Sequence, residues 1–268
     1  MQLACFERLG TAGWAALAEV CERARERGLL VIADGKRGDI DISARAYGQA
    51  FFGSTETPFG VVRGLGVDAL TVNPLLGAEA LAPLAEAARR HEGGLFVLVR
   101  TTNPGAAELQ DLPLAGGGTV SERLAEIAAR LAAPAAQISA PCGEARSALC
   151  GEARSEAASA SPAQASQGMR ARSRGIGEIG AVVAATAPER LARLRELLPS
   201  APFLIPGVGA QGGRLEELRP AFAPGRAGGL VTVSRGIVEA HRGTGSDPAR
   251  AAAREAARLR QLAWALSG

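Results

Sequence analysis

Lys36 is the only lysine of the 268-residue chain; the other 29 basic residues are arginine. It lies in Ile32-Ala33-Asp34-Gly35-Lys36-Arg37-Gly38-Asp39-Ile40, between two aspartates. Lysine gives up a proton at moderate cost when its surroundings shift its pKa, and arginine does not. An ammonium held between carboxylates at the end of an apolar run reads as an acid–base site. A lysine about 4 Å from one carboxylate gains on the order of 4 kcal/mol at an effective dielectric near 20, which orients it and keeps it charged. By spacing alone, Asp34, Lys36 and Asp39 also fit a solvated ion-pair cluster worth little. The complete string is much more specific.

Two further loops suit an anion. Pro206-Gly207-Val208-Gly209-Ala210-Gln211-Gly212-Gly213 lets backbone N–H groups come close to a ligand, and Gln211 adds a side-chain donor. Val233-Ser234-Arg235-Gly236-Ile237 offers the planar fork of Arg235. Either loop alone fits an ordinary turn; together, after consecutive apolar runs and with an arginine, they favour phosphate. In Arg100-Thr101-Thr102-Asn103-Pro104-Gly105, hydroxyls and an amide can read the polar edge of a heterocycle, although Asn-Pro-Gly is also turn chemistry. The sum is a phosphorylated small-molecule substrate facing a Lys/Asp array. No motif calls for a metal or a cofactor, and none is expected.

These residues need a frame. Apolar runs at 28–33, 68–73, 95–100, 180–186, 202–206 and 229–233 predict strands buried on both faces, as in a parallel sheet. Helical patterns lie between them. One is capped by Thr11 and stopped by Gly28; others cover 78–90 and 121–132. Thr186-Ala187-Pro188-Glu189 reads as a capping box, and Asp247-Pro248 opens a helix to about Leu266. The alternation predicts an α/β fold, and a (β/α)8 barrel over a doubly wound sheet. Asp34, Asn73, Thr101, Pro206 and Ser234 all fall just past apolar runs, where barrel active sites are built. The chain reads as one barrel domain, 1–268. Within it, 133–174 is a low-complexity surface insertion or a lid, in which Cys142-Gly143-Glu144-Ala145-Arg146-Ser147 recurs at Cys150 to Ser155.

A net charge of +3 with interspersed signs argues against a nucleic-acid partner. Cys5, Cys21, Cys142 and Cys150 form no C-x-x-C pair, and His91 and His241 are far apart in sequence, which disfavours zinc. The expectation is two buried thiols and two in a loop. No signal peptide and no apolar run of about 20 residues are seen, so a cytoplasmic protein without a membrane partner is expected.

The strings that carry chemistry resemble the orotidine 5′-phosphate decarboxylase family, in its longer bacterial branch. The likeness runs through Asp34/Lys36/Asp39 with Arg37-Gly38 inside, Thr71-Val72-Asn73-Pro74, Val99 to Gly105, Pro206 to Gly213, and Ser234-Arg235-Gly236. It covers most of the chain except 133–174. The resemblance implies that Lys36 protonates C6 of the pyrimidine after CO2 leaves, with Asp34 beside the departing carboxylate. Asp39 and Ser43 would reach the neighbouring site of a homodimer. Thr102 would bond the pyrimidine edge, and Pro206, Gln211, Ser234 and Arg235 would hold the phosphate. It also implies two strands ahead of the Met1–Glu7 stretch, one bearing an aspartate and one a lysine. About six strands and a remnant are therefore expected, as an N-terminally truncated barrel, with the charge array under-compensated and this chain inactive on its own. Two rival readings are a Mg2+-dependent sugar-phosphate lyase or decarboxylase of the same barrel type and a non-catalytic phosphate-ligand binder.

Overall fold

The computed structural model describes residues 1–133, 178–223 and 225–267. The expected insertion from 134 onward, with Cys142 and Cys150, lies outside the described residues. The elements in order are α1 (Leu3–Glu7), α2 (Gly10–Glu26), β1 (Ile32–Arg37), α3 (Asp41–Phe51), β2 (Ser54–Thr57), β3 (Gly60–Arg63), β4 (Ala69–Val72), α4 (Ala78–Arg90), β5 (Gly94–Arg100), α5 (Ala106–Gln110) and α6 (Val120–Ala132). They continue with β6 (Ile179–Val183), α7 (Pro188–Leu197), β7 (Phe203–Ile205), 3-10 turns at Leu215–Phe222 and Arg226–Gly228, β8 (Gly229–Val231), α8 (Arg235–Val238) and α9 (Pro248–Leu266).

Six strands make one parallel sheet in the order β1-β4-β5-β6-β7-β8. Each strand pairs with the next in chain order once the β2–β3 hairpin is set aside. Helical crossovers join most of them, which is barrel order. Among the described residues the six strands curl without closing, in the strand order of a (β/α)8 barrel. Strands β4, β6 and β7 are buried along their whole length, which is why each appears in the sequence as an unbroken apolar run.

The pleat sorts the two faces. Leu70, Val72, Leu95, Val97, Val99, Ala181, Val183, Phe203 and Ile205 belong to the large core that includes the helices. Their alternates Ala69, Phe96, Val182 and Leu204 form a separate cluster on the opposite face, joined by Ile32 and Leu98. Three phenylalanine rings lie where glycine leaves room for them. A Cβ on Gly93 would meet Phe52 at 2.9 Å, one on Gly229 would meet Phe222 at 2.8 Å, and one on Gly180 would meet both the Pro202 carbonyl oxygen at 2.5 Å and Phe96 at 2.6 Å.

Some boundaries differ from expectation. Strand β1 starts at Ile32, not 28. Gly28, at φ +71°, closes α2 with two hydrogen bonds back to the helix: Gly28 N–H donates to Arg25 C=O and Leu29 N–H to Ala24 C=O, at 2.8 and 3.0 Å. Leu29 is thus bound to the helix end rather than to the sheet. Thr11 does not cap α2, which starts at Gly10 with Leu9 in the cap position. The capping box at Thr186 does not form either. Pro188 is the first helical residue, so Ala187 takes the cap position and Thr186 stands one residue early. Asp247 does cap α9, accepting from Arg250 N–H at 2.9 Å. Cys21 is buried as expected, and burial pushes its thiol pKa up, whereas Cys5 is exposed.

Candidate active site

Strand β1 is not regular where its chemistry lies. Ala33 pairs with Leu70 and Arg37 with Val72. The three residues Asp34, Gly35 and Lys36 therefore stand opposite one, Thr71. A bulge of this kind shortens and re-aims a strand, and bulges recur beside active sites. Lys36 takes a left-handed conformation at φ +50°, unusual for a side chain with a Cβ. Its Nζ donates to Asp34 Oδ1 at 2.6 Å. Thr71, only 1% exposed, donates its hydroxyl to the same Oδ1 at 2.9 Å and accepts from Lys36 N–H at 2.9 Å. Asp34 and Lys36 thus lie inside β1 rather than past it, and the bulge, not strand alternation, brings them together.

The rest of the triplet diverges. Asp39 Oδ1 accepts from Ile40 N–H at 2.7 Å, and its carboxylate pairs with no cation among the described residues. Gly38 explains its own identity: a Cβ there would sit 2.6 Å from the Asn73 carbonyl oxygen. Arg37 turns away from Lys36, pairing with Glu7 and lying over the Tyr47 and Phe51 rings. Ser43 is on α3, half-buried.

A second cluster forms where the loops after β5 and β7 meet. Gln211 Nε2 donates to Thr102 Oγ1 at 3.1 Å, across 109 residues of sequence. Its neighbour Thr101 is held on both sides. Arg100, buried at the end of β5, donates twice to Asp111, at 3.1 and 2.9 Å, and once to the Thr101 carbonyl. Thr101 N–H donates to Gln110 Oε1 at 2.8 Å. Pro206 C=O accepts from Ala185 N–H at 2.8 Å, anchoring the glycine loop to the end of β6. Ser234 and Arg235 are exposed after β8, the strand beside β7, Ser234 in the cap position of α8 and Arg235 its first residue.

The structure therefore unites Asp34 with Lys36, and Thr102 with Gln211. Among the described residues, Asp39, Ser43, Ser234 and Arg235 make no hydrogen bond or ion pair with either pair. Thr71, Arg100, Gln110 and Asp111 were not singled out for a role. Thr71 shares strand parity with Ala69, on the face that carries the small cluster; that signal has meaning only once β4 is known to lie beside β1. Cavities of about 340 and 430 Å3 open between β8 and α9 and between α3 and α4, and Lys36 lines neither.

Polar groups gathered at the C-terminal ends of parallel strands, backed by helices, define the class of α/β-barrel enzymes. The comparisons with known proteins narrow that class. The chain belongs to the orotidine 5′-phosphate decarboxylase / HUMPS family, whose model matches residues 1–254. It is 39% identical over 244 residues to the orotidine 5′-phosphate decarboxylase of Rhodopirellula baltica, covering 90% of this chain and 67% of that one. It is 40% identical over 257 residues to that of Deinococcus radiodurans, covering 94% and 74%. The fold matches the Leishmania donovani OMP decarboxylase structure with a TM-score of 0.64 at 29% identity, covering 98% and 80%. The relatives favour the nucleotide decarboxylase over the sugar-phosphate alternative. Among the described residues no helix is long and apolar enough to cross a membrane.

Proposed function

We propose that the chain decarboxylates orotidine 5′-phosphate to uridine 5′-phosphate, a step of pyrimidine-nucleotide synthesis, without a cofactor, in place of the inactivity expected of it on its own, because Lys36 and Asp34 are already paired. The bond from C6 to the carboxylate breaks and its electron pair stays on C6. Lys36 delivers a proton to that carbon, and water later returns one to the amine. The observation that supports this reading is the Lys36 ammonium fixed 2.6 Å from Asp34 in the β1 bulge. A cation held in place where carbanion charge develops is worth more in the transition state than in the ground state. Asp34 holds the ammonium and stands beside the departing carboxylate.

In the same reading Thr102 bonds the pyrimidine edge, and Gln211, Arg235, Pro206 and Ser234 take the phosphate. The protein works in the cytoplasm as a homodimer. Asp39 and Ser43 reach the neighbouring site: they flank Ile40 and Ile42, 58% and 75% exposed, which a second copy would cover. The chain is read as one barrel domain.

The test measures two quantities on purified protein: loss of orotidine 5′-phosphate absorbance, and calorimetric affinity for uridine 5′-monophosphate against uridine. Turnover supports the reading. Nucleotide binding without turnover favours the phosphate-ligand binder, and a protein that does neither overturns both. A charge-assisted bond contributes about 1.5–3 kcal/mol, so Arg235→Ala should weaken uridine 5′-monophosphate binding by about 10- to 100-fold and leave uridine unchanged.

A further inference from the structure

We infer that Thr71 is the positioning residue of the Lys36–Asp34 pair, an inference that rests on the decarboxylase reading of this site. The β1 bulge sets three residues against Thr71, so the backbone ladder cannot serve all of them. The Thr71 hydroxyl fills the gap. Its one proton goes to Asp34 Oδ1, and its oxygen accepts from Lys36 N–H, each at 2.9 Å. The first bond orients the carboxylate that receives the ammonium at 2.6 Å. The second holds the backbone of Lys36 at φ +50°, a conformation a lysine keeps only when its surroundings impose it. Both members of the pair thus depend on one hydroxyl, buried behind them in the neighbouring strand at 1% exposure. Valine has nearly the same shape and can do neither task. Serine can do both.

The chain makes this unusually accessible, because its single lysine gives a single side-chain signal in protein labelled with 13C,15N-lysine. Thr71→Val should move the Lys36 Cε and Nζ resonances and lower kcat by about 10- to 100-fold, the size of one lost bond to a charged group, with KM within twofold. Thr71→Ser should restore both. A merely structural role would lower the folded fraction and leave the lysine signal of the remaining folded protein in place. If Thr71→Val folds poorly, Thr71→Ala gives the same readouts. An unchanged kcat in an active protein overturns the inference, whatever the resonances do. If the unsubstituted protein shows no turnover, the decarboxylase reading has failed, and the lysine resonances alone decide whether Thr71 sets the pair.

Discussion

Replacing Lys36 with alanine is expected to lower kcat for orotidine 5′-phosphate by about 10⁴-fold or more, while uridine 5′-monophosphate binding stays within about tenfold. Two losses combine. A positioned proton donor contributes about 10²–10⁴, and a fixed charge aimed at a developing anion about 10²–10³. The arginine variant separates them. Lys36→Arg keeps a cation beside Asp34 but holds its proton at neutral pH, so it should recover only the smaller, electrostatic part. Steady-state rates with titration calorimetry check both numbers. A Lys36→Ala protein that keeps a tenth of its kcat would show that the proton comes from elsewhere.

Arg195→Ala should cost about 4 kcal/mol or more, read as a fall in the urea midpoint, a large part of the 5–15 kcal/mol that stabilises a typical domain. Arg195 is 6% exposed and is paired with no carboxylate among the described residues. Its guanidinium instead donates to the carbonyls of Leu198, Ala201, Ala221 and Gly228 at 2.6–3.0 Å, and stacks 3.7 Å over the Phe203 ring. It thereby ties the end of α7 to β7, to the 3-10 turn at Leu215–Phe222 and to the start of β8. Each carbonyl left buried and unpaired costs about 1–3 kcal/mol. Burial pushes the Arg195 pKa down to about 10, so the group is a buried cation at neutral pH. The desolvation cost is relieved only as pH rises from about 10, where the folded protein releases the proton first; stability then increases with pH. Removing the side chain recovers that cost but not the four bonds. Lysine, with three donors on one nitrogen, cannot reach four acceptors and should restore less than half of the loss.

Much of this was legible in the sequence. The six strands were visible because a parallel sheet buries both faces, so β4, β6 and β7 are unbroken apolar runs. Lys36 was visible because its type departs from the arginine background. What escaped is contact that depends on register. Thr71 looks like any β-branched strand residue until the bulge sets three residues against it. The meeting of Gln211 with Thr102 follows from which strands end side by side. Helix α3 escaped because its buried residues include the small Ala44 and Gly48, which barely register as apolar, and the β2–β3 hairpin because nearly all of it is exposed. The start of β1 was misplaced because the apolarity of Leu29 hid its role in closing α2.

The glycines under Phe52 and Phe222 have a consequence for how this protein diverges. No side chain fits at 93 or 229 while the ring above it remains, and a smaller residue in place of the ring leaves a void beside the glycine. Each of these two couples is therefore free to change only together. Gly180 is fixed separately, because a Cβ there would also sit 2.5 Å from the Pro202 carbonyl oxygen. Positions 52 and 93 should vary as partners across related sequences, and so should 222 and 229, whereas 180 should stay glycine whatever stands at 96. A lineage that drifts at one member alone loses stability before it can compensate, so variation at these sites moves in correlated pairs.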